Sequence, residues 1–286
     1  MTGLLSSNII LYPHQVEVTR RVLGDPVQRY LLSDEVGLGK TIEAGIVLRQ
    51  YLLDEPKKRA VVLAPKMLVE QWMYELEEKF NIFDFGKRVY IASTDELIKL
   101  RPLRETDRIG MLIVDEAHHI AAGAYSSDPK LQKRFLSCQQ LVHHADRLLL
   151  LSATPILNNE KDFLAMLHLL DPVTYNLNDL DAFRNRVNKR QDIGRTLLSF
   201  REGAAPFVLK TGINRLRSVF AEDKCLHALL DELQQILQSP EADVINQTSV
   251  VRSIRTHVSE TYRLHRRMLR SRRESVSMVG PNWPCR

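Results

Sequence analysis

Residues 30–41 read YLLSDEVGLGKT: a short apolar run, Tyr30 to Leu32, meets a loop holding Gly37 and Gly39, then Lys40 and Thr41, after which a helical pattern starts at Ile42. This is the build of a phosphate-binding loop between a strand and a helix. Glycines let backbone N–H groups approach phosphate oxygens, and the N-terminus of the following helix adds the positive end of its dipole. Lys40 offers a point charge to the β- and γ-phosphates and Thr41 a hydroxyl ligand to Mg²⁺. The general spacing, GxxxxGK[ST], lacks its first glycine here because Asp34 stands in that place. Taken alone, the stretch therefore also fits a plain tight connection between strand and helix.

A second motif weighs against that plain reading. Met111 to Val114 form an apolar run that ends in Asp115, Glu116, Ala117 and His118. Two adjacent carboxylates at a strand end are costly to bury unless a cation or a proton balances them. Beside a phosphate loop, Mg²⁺ is the natural partner: Asp115 binds the metal, and Glu116 orients and deprotonates the attacking water. The pairs His118-His119 and His143-His144 do not suggest a metal centre, because adjacent histidines point in different directions and no third soft ligand has suitable spacing.

Further apolar runs at Ala60–Ala64, Arg88–Ala92 and Arg147–Leu151 complete a set of five, each continuous rather than alternating and separated by helical patterns. That pattern describes an α/β parallel sheet covered by helices on both faces, with function at the C-terminal strand ends. The phosphate loop, the paired acids, and Ser152-Ala153-Thr154-Pro155 after the fifth run all fall at such ends. Upstream, Tyr12-Pro13-His14-Gln15 opens an amphipathic helix in which Val16, Val22 and Leu23 can face inward. Gln15 carries a donor and an acceptor suited to an adenine edge, and is equally compatible with a solvated helix face. In the helix from Asp128-Pro129, Leu131, Phe135, Cys138 and Val142 recur as one buried stripe.

The chain has 286 residues, 44% of them hydrophobic, enough for one large domain or two small ones. It has no apolar run long enough for a bilayer and no signal peptide, so a cytoplasmic protein without membrane attachment is expected. Three cysteines without a CxxC argue against both a disulfide framework and a cysteine-rich zinc site. The net charge of +5 is uneven: Val251 to Glu274 holds eight arginines against Glu260 and Glu274, a local +6 that leaves −1 for the rest. That basic segment suits either a solvated helix face or a nucleic-acid contact.

With LYPHQ, DEVGLGKT, VLAPKMLVEQW, VDEAHH and LSATP in this order, the chain resembles the first motor lobe of superfamily-two helicase-like ATPases. More narrowly it resembles the Swi/Snf type, in which Asp takes the place of the loop glycine. The RapA-like branch is the most similar, by DEVGLGKTIEAG, VDEAHH and LHLLDP (Leu167 to Pro172). The resemblance implies a RecA-like lobe that binds ATP and Mg²⁺. It implies nucleotide contacts from Gln15, from the loop Asp34, Glu35, Gly37, Leu38, Gly39, Lys40 and Thr41, and from His118, Ser152 and Thr154. Thr41 and Asp115 would hold the metal, and Lys40, Asp115 and Glu116 would carry the chemistry. Pro65, Gln71 and Ser93 fall in segments that resemble the family's phosphate-backbone contacts. Arg266, Arg267 and Arg270 resemble the arginine-rich segment that closes the first lobe.

The implied activity is ATP-driven translocation on duplex DNA, moving RNA polymerase or other bound proteins. A phage-defence or DNA-modification component and a nucleotide-switched binding module are the alternatives. The expected division is 1–170 for the nucleotide-binding lobe and 171–286 for a mainly helical insert and basic tail, with helices near 163–170, 177–190, 222–238 and 251–274. A second RecA-like lobe, whose arginines would reach the γ-phosphate, has no candidate in the sequence. A fragment, an engineered piece or one half of a split motor is the expectation, with weak hydrolysis by this chain alone.

Overall fold

The computed structural model describes residues 9, 11–35, 37–101, 103–104, 107–153, 159–201, 203–221, 223–238, 244–261 and 267–269. They fall into two compact units, one within Met1–Leu180 joined by the segment from Arg267, the other within Asp181–Arg266.

The first unit is built on a six-stranded sheet in the order β3-β2-β4-β5-β1-β6. Its strands are β1 (Arg29–Leu32), β2 (Ala60–Ala64), β3 (Val89–Ser93), β4 (Ile109–Val114), β5 (Ala145–Leu151) and β6 (Met268–Leu269). Every pairing is parallel. Leu148 to Leu151 of β5 and Gly110 to Val114 of β4 are buried on both faces, which is why these runs read as continuous apolar stretches. Helices α1 (Pro13–Gly24), α2 (Lys40–Asp54), α3 (Val69–Phe80), α4 (Ala117–Ala121), α5 (Pro129–His143) and α6 (Glu160–Leu170) connect and cover the strands. On α3, Trp72, Leu76 and Phe80 form the buried stripe, joining Tyr51, Leu52, Val62 and Ile113 in one core. Arg29 reaches to the far side of β1 and donates to the carbonyls of Leu169 and Leu170 at 3.0 Å and of Ala145 at 3.2 Å. The cation thereby satisfies acceptors that the C-terminal end of α6 leaves unpaired.

Three details depart from the sequence reading. The inward face of α1 is Gln15, Val18, Thr19 and Val22, with Leu23 packed half-buried against the core, so Val22 and Leu23 face inward as expected and Val16, 36% exposed, does not. In α5 the buried stripe is Phe135, Cys138, Leu141 and Val142, with Leu131 half-buried. The stretch 251–274 is not one helix. Met268-Leu269 is a strand that pairs with Leu31-Leu32, and Ser33 N–H donates to Leu269 O at 2.8 Å. The edge of β1 needs acceptors as well as apolar cover, and this segment supplies them: Leu31 N–H donates to Arg267 O at 2.9 Å, beside the Ser33 bond.

The second unit consists of helices α7 (Leu180–Ser199), α8 (Pro206–Val219), α9 (Lys224–Ile236) and α10 (Val244–Thr261). Its core joins Leu209, Ile213, Leu216 and Phe220 with Leu226, Leu230 and Leu233, and with Val250, Val251, Ile254 and Val258. Helix α8 was absent from the sequence reading, although its stripe recurs at helical spacing. Among the described residues, no helix is long and apolar enough to cross a membrane.

Candidate nucleotide-binding site

The phosphate loop leaves β1 at Ser33 and runs into α2 at Lys40. Gly37 (φ +85) and Gly39 (φ +88) take the left-handed conformation that the reversal requires. Lys40 Nζ donates to the carbonyl of Asp34 at 2.8 Å, so the ammonium folds back over the loop. Asp34 is buried and Glu35 half-buried. Thr41 sits half-buried in the first turn of α2. The loop is clasped from α1: His14 Nε2 lies 3.0 Å and Gln15 Nε2 3.1 Å from the carbonyl of Leu38. Gln15 Oε1 in turn accepts from Tyr12 N–H at 3.1 Å, which fixes the plane of its amide. A Cβ on Gly39 would lie 2.3 Å from Gln15 Nε2, so the loop and α1 meet without room for a side chain.

Strand order places β5 between β1 and β4, and the paired acids leave β4 on the same edge as the loop. Ser152 N–H donates to Leu32 O at 3.0 Å and Asp115 N–H to Leu63 O at 2.7 Å, so each motif is tied by its backbone to a neighbouring strand. Asp115 is buried; its Oδ2 accepts from Trp72 Nε1 at 2.8 Å and its Oδ1 from Glu116 N–H at 2.9 Å. Burial pushes its carboxyl above the ordinary range against these two donors. Glu116 adopts a left-handed conformation (φ 45, ψ 47), rare for a residue with a side chain and frequent where a site imposes it. Its Oε2 lies 3.2 Å from His118 Nδ1, a contact that holds the carboxyl below its usual range. The same nitrogen is 3.2 Å from Ser152 Oγ, so the ends of β4 and β5 are joined through His118.

A buried carboxylate and a hydroxyl on the first helical turn are oxygen donors suited to a hard divalent cation. Asp115 and Thr41 are the oxygens that would hold Mg²⁺. Glu43, one turn into α2, belongs to this neighbourhood and was missed by the sequence reading. It has no exposed surface, and burial together with the charge of Asp34 pushes its carboxyl up to about 10.

The other expected residues lie at different depths. Pro65 follows β2 and is half-buried; Gln71 is exposed on α3, where it donates to Glu75 at 2.7 Å. Ser93 is buried at the end of β3, its hydroxyl accepting from Asp95 N–H at 3.1 Å as a helix cap. Arg267 precedes β6 and pairs with Asp25 at 3.2 Å, and Asp25 also accepts from Tyr30 OH at 2.8 Å. It stands beside the body of β1 rather than at the strand's C-terminal end. Thr154, Arg266 and Arg270 lie outside the described residues.

A parallel sheet whose strand ends carry a glycine-lysine-threonine loop and an adjacent acid pair, Asp115 buried and Glu116 half-buried, defines a P-loop nucleotide-binding lobe of the RecA type. Residues 83–276 match the SNF2-related domain, and residues 8–157 match the Type III restriction enzyme, res subunit. The chain belongs to the SNF2-related family of helicase-like ATPases. It is 29% identical to RNA polymerase-associated protein RapA of Serratia proteamaculans (strain 568) over 96% of its own length and 29% of that protein's. To RapA of Histophilus somni (strain 129Pt) it is 34% identical over 60% of this chain and 20% of the relative. The chain thus spans less than a third of the length of these relatives. The solved Sulfolobus solfataricus SWI2/SNF2 ATPase core in complex with dsDNA shares the fold, with a TM-score of 0.50 at 12% identity over 93% of this chain and 79% of that one. The Sulfolobus solfataricus SWI2/SNF2 ATPase core domain does likewise, with a TM-score of 0.51 at 15% identity over 89% of this chain and 57% of that one.

Proposed function

We propose that this chain is the nucleotide-binding lobe of an ATP-driven translocase on duplex DNA that remodels protein–DNA complexes. The observation that carries the reading is the convergence of Lys40, Asp115 and Glu116 at one edge of a parallel sheet in a SNF2-related chain. Gln15 faces the adenine: an amide has two N–H donors and two lone pairs, and the bonds to Leu38 and Tyr12 occupy one of each. Lys40 leaves the Asp34 carbonyl for the β- and γ-phosphates as nucleotide enters. Thr41 and Asp115 would hold Mg²⁺, which would supply charge neutralisation at the phosphates. Glu116 accepts the proton of the attacking water, and the His118 contact keeps it ionised and aimed. His118 and Ser152 link that carboxylate to β5, the route by which nucleotide state would alter grip on DNA.

Pro65, Gln71 and Ser93, with Arg266, Arg267 and Arg270, remain the nucleic-acid candidates, and RNA polymerase is the candidate partner by likeness to RapA. An arginine from a second lobe would complete the γ-phosphate site. A restriction-type motor is the second reading, favoured by the match over residues 8–157.

The test is steady-state ATPase and Mg²⁺-ATP binding with and without duplex DNA, with Lys40→Ala as the blank. Nucleotide binding above the blank with hydrolysis near it is expected, since loss of an arginine finger costs on the order of 10³–10⁵ in rate. Supplying the second lobe should restore turnover. Binding no tighter than in Lys40→Ala would refute the nucleotide site. A DNA-stimulated rate from these 286 residues alone would refute the need for another lobe.

A further inference from the structure

Trp72 is 2% exposed, on the inner face of α3. The other inward residues of that helix, Leu76 and Phe80, carry no polar side-chain atom and satisfy the core by bulk alone. An indole adds a single N–H donor that must find a partner when buried. Here the partner is Asp115 Oδ2, at 2.8 Å and 43 residues away in sequence. With Oδ1 held by Glu116 N–H at 2.9 Å, both oxygens of the carboxylate are anchored, from two different elements. A carboxylate pinned at both oxygens cannot rotate freely, and its remaining lone pairs point in set directions.

We propose that Trp72 is a positioning residue for the metal carboxylate: its indole N–H sets the orientation in which Asp115 meets Mg²⁺, so that α3 is mechanically linked to the metal site through one hydrogen bond. This rests on the reading of Asp115 as a Mg²⁺ ligand. Outer partners of this kind orient a ligand, and their loss costs about 10- to 100-fold in metal affinity. Because α3 follows directly on the turn at Pro65 and exposes Gln71 and Tyr74 on its other side, anything that moves this helix moves Asp115 with it.

Trp72→Phe keeps the buried ring and removes only the donor. Binding of a fluorescent ATP analogue is titrated in EDTA and in increasing Mg²⁺, for the wild type and this variant. Unchanged affinity in EDTA with a Mg²⁺ requirement raised about 10- to 100-fold is expected. In an Asp115→Asn background, Trp72→Phe should change the Mg²⁺ requirement no further, because the two side chains act as one unit. A Trp72→Phe variant with the wild-type Mg²⁺ dependence would overturn the inference while leaving the metal site standing. A wild type whose nucleotide affinity ignores Mg²⁺ would overturn the metal reading itself, and this inference with it. A measurement independent of the variant's folding uses the intrinsic emission of Trp72 after Trp283→Phe, since the chain has two tryptophans. The emission should respond when Mg²⁺ joins bound nucleotide, and an unresponsive signal counts against the link.

Discussion

Replacing Gly39 by alanine should damage nucleotide binding and stability by an amount that the geometry sets. Gly39 sits at φ 88, ψ 37, and an added Cβ would stand 2.3 Å from Gln15 Nε2. A left-handed conformation costs a residue with a side chain about 1–2 kcal/mol. Gln15 is buried, so it cannot step aside into solvent without giving up its bonds to Leu38 O and Tyr12 N–H, both 3.1 Å. Each such bond contributes about 0.5–1.5 kcal/mol net. The two terms together come to about 2–5 kcal/mol, or roughly 30- to 5,000-fold in an equilibrium. If the loop holds its shape the loss appears as stability, and if the loop yields it appears as affinity. The assays are therefore paired: urea unfolding without nucleotide, and titration with a fluorescent ATP analogue. A summed loss within about 0.5 kcal/mol of the wild type, the level of an ordinary surface change, would refute the argument that this contact needs glycine.

Two further perturbations probe the scaffold around the site. Glu43 keeps its proton in the folded protein until about pH 10 but releases it near its ordinary 4.5 when unfolded. Between those values the native state holds the extra proton, so its contribution to stability falls as pH rises through the window. Glu43→Gln has no proton to lose and should flatten that decline; melting temperatures across the window decide it, and parallel curves for the two proteins would sink the idea. Arg29→Ala strips donors from the carbonyls of Leu169, Leu170 and Ala145, and should lower unfolding free energy by about 2–4 kcal/mol, since charged hydrogen bonds are worth about 1.5–3 kcal/mol each but water can partly replace them. Urea denaturation showing a loss below about 0.5 kcal/mol would mean that solvent replaces the guanidinium fully.

Much of the fold could be read directly from contiguous runs. Leu148 to Leu151, Leu112 to Val114 and Val61 to Leu63 announce buried parallel strands because a strand covered on both faces cannot alternate. The loop from Asp34 to Thr41 is legible for a similar reason, since its residues are neighbours along the chain and act through backbone geometry that glycine makes available. Helix α8 is legible too, since Leu209, Ile213 and Leu216 recur at helical spacing, although it carries no motif. The polar part of α1's inward face was less accessible: placing Gln15 and Thr19 inward rather than Val16 buries polar groups, and it succeeds because Thr19 Oγ1 finds Gln15 O at 2.7 Å and Gln15 finds the loop.

Local pattern therefore determined the fold class, the positions of the motifs and the side of the sheet on which they emerge, because periodicity, turn chemistry and strand polarity are properties of adjacent residues. Strand order was decided only in three dimensions. Hydrogen-bond partners across a sheet are chosen by the packing of the whole, which set β5 between β1 and β4 and brought Met268-Leu269 back to the open edge of β1. The meetings of Trp72 with Asp115, of Gln15 with Leu38 and of His118 with Ser152 belong to the same category. Each joins groups far apart in the chain whose need for a partner becomes severe only once burial has removed water from both.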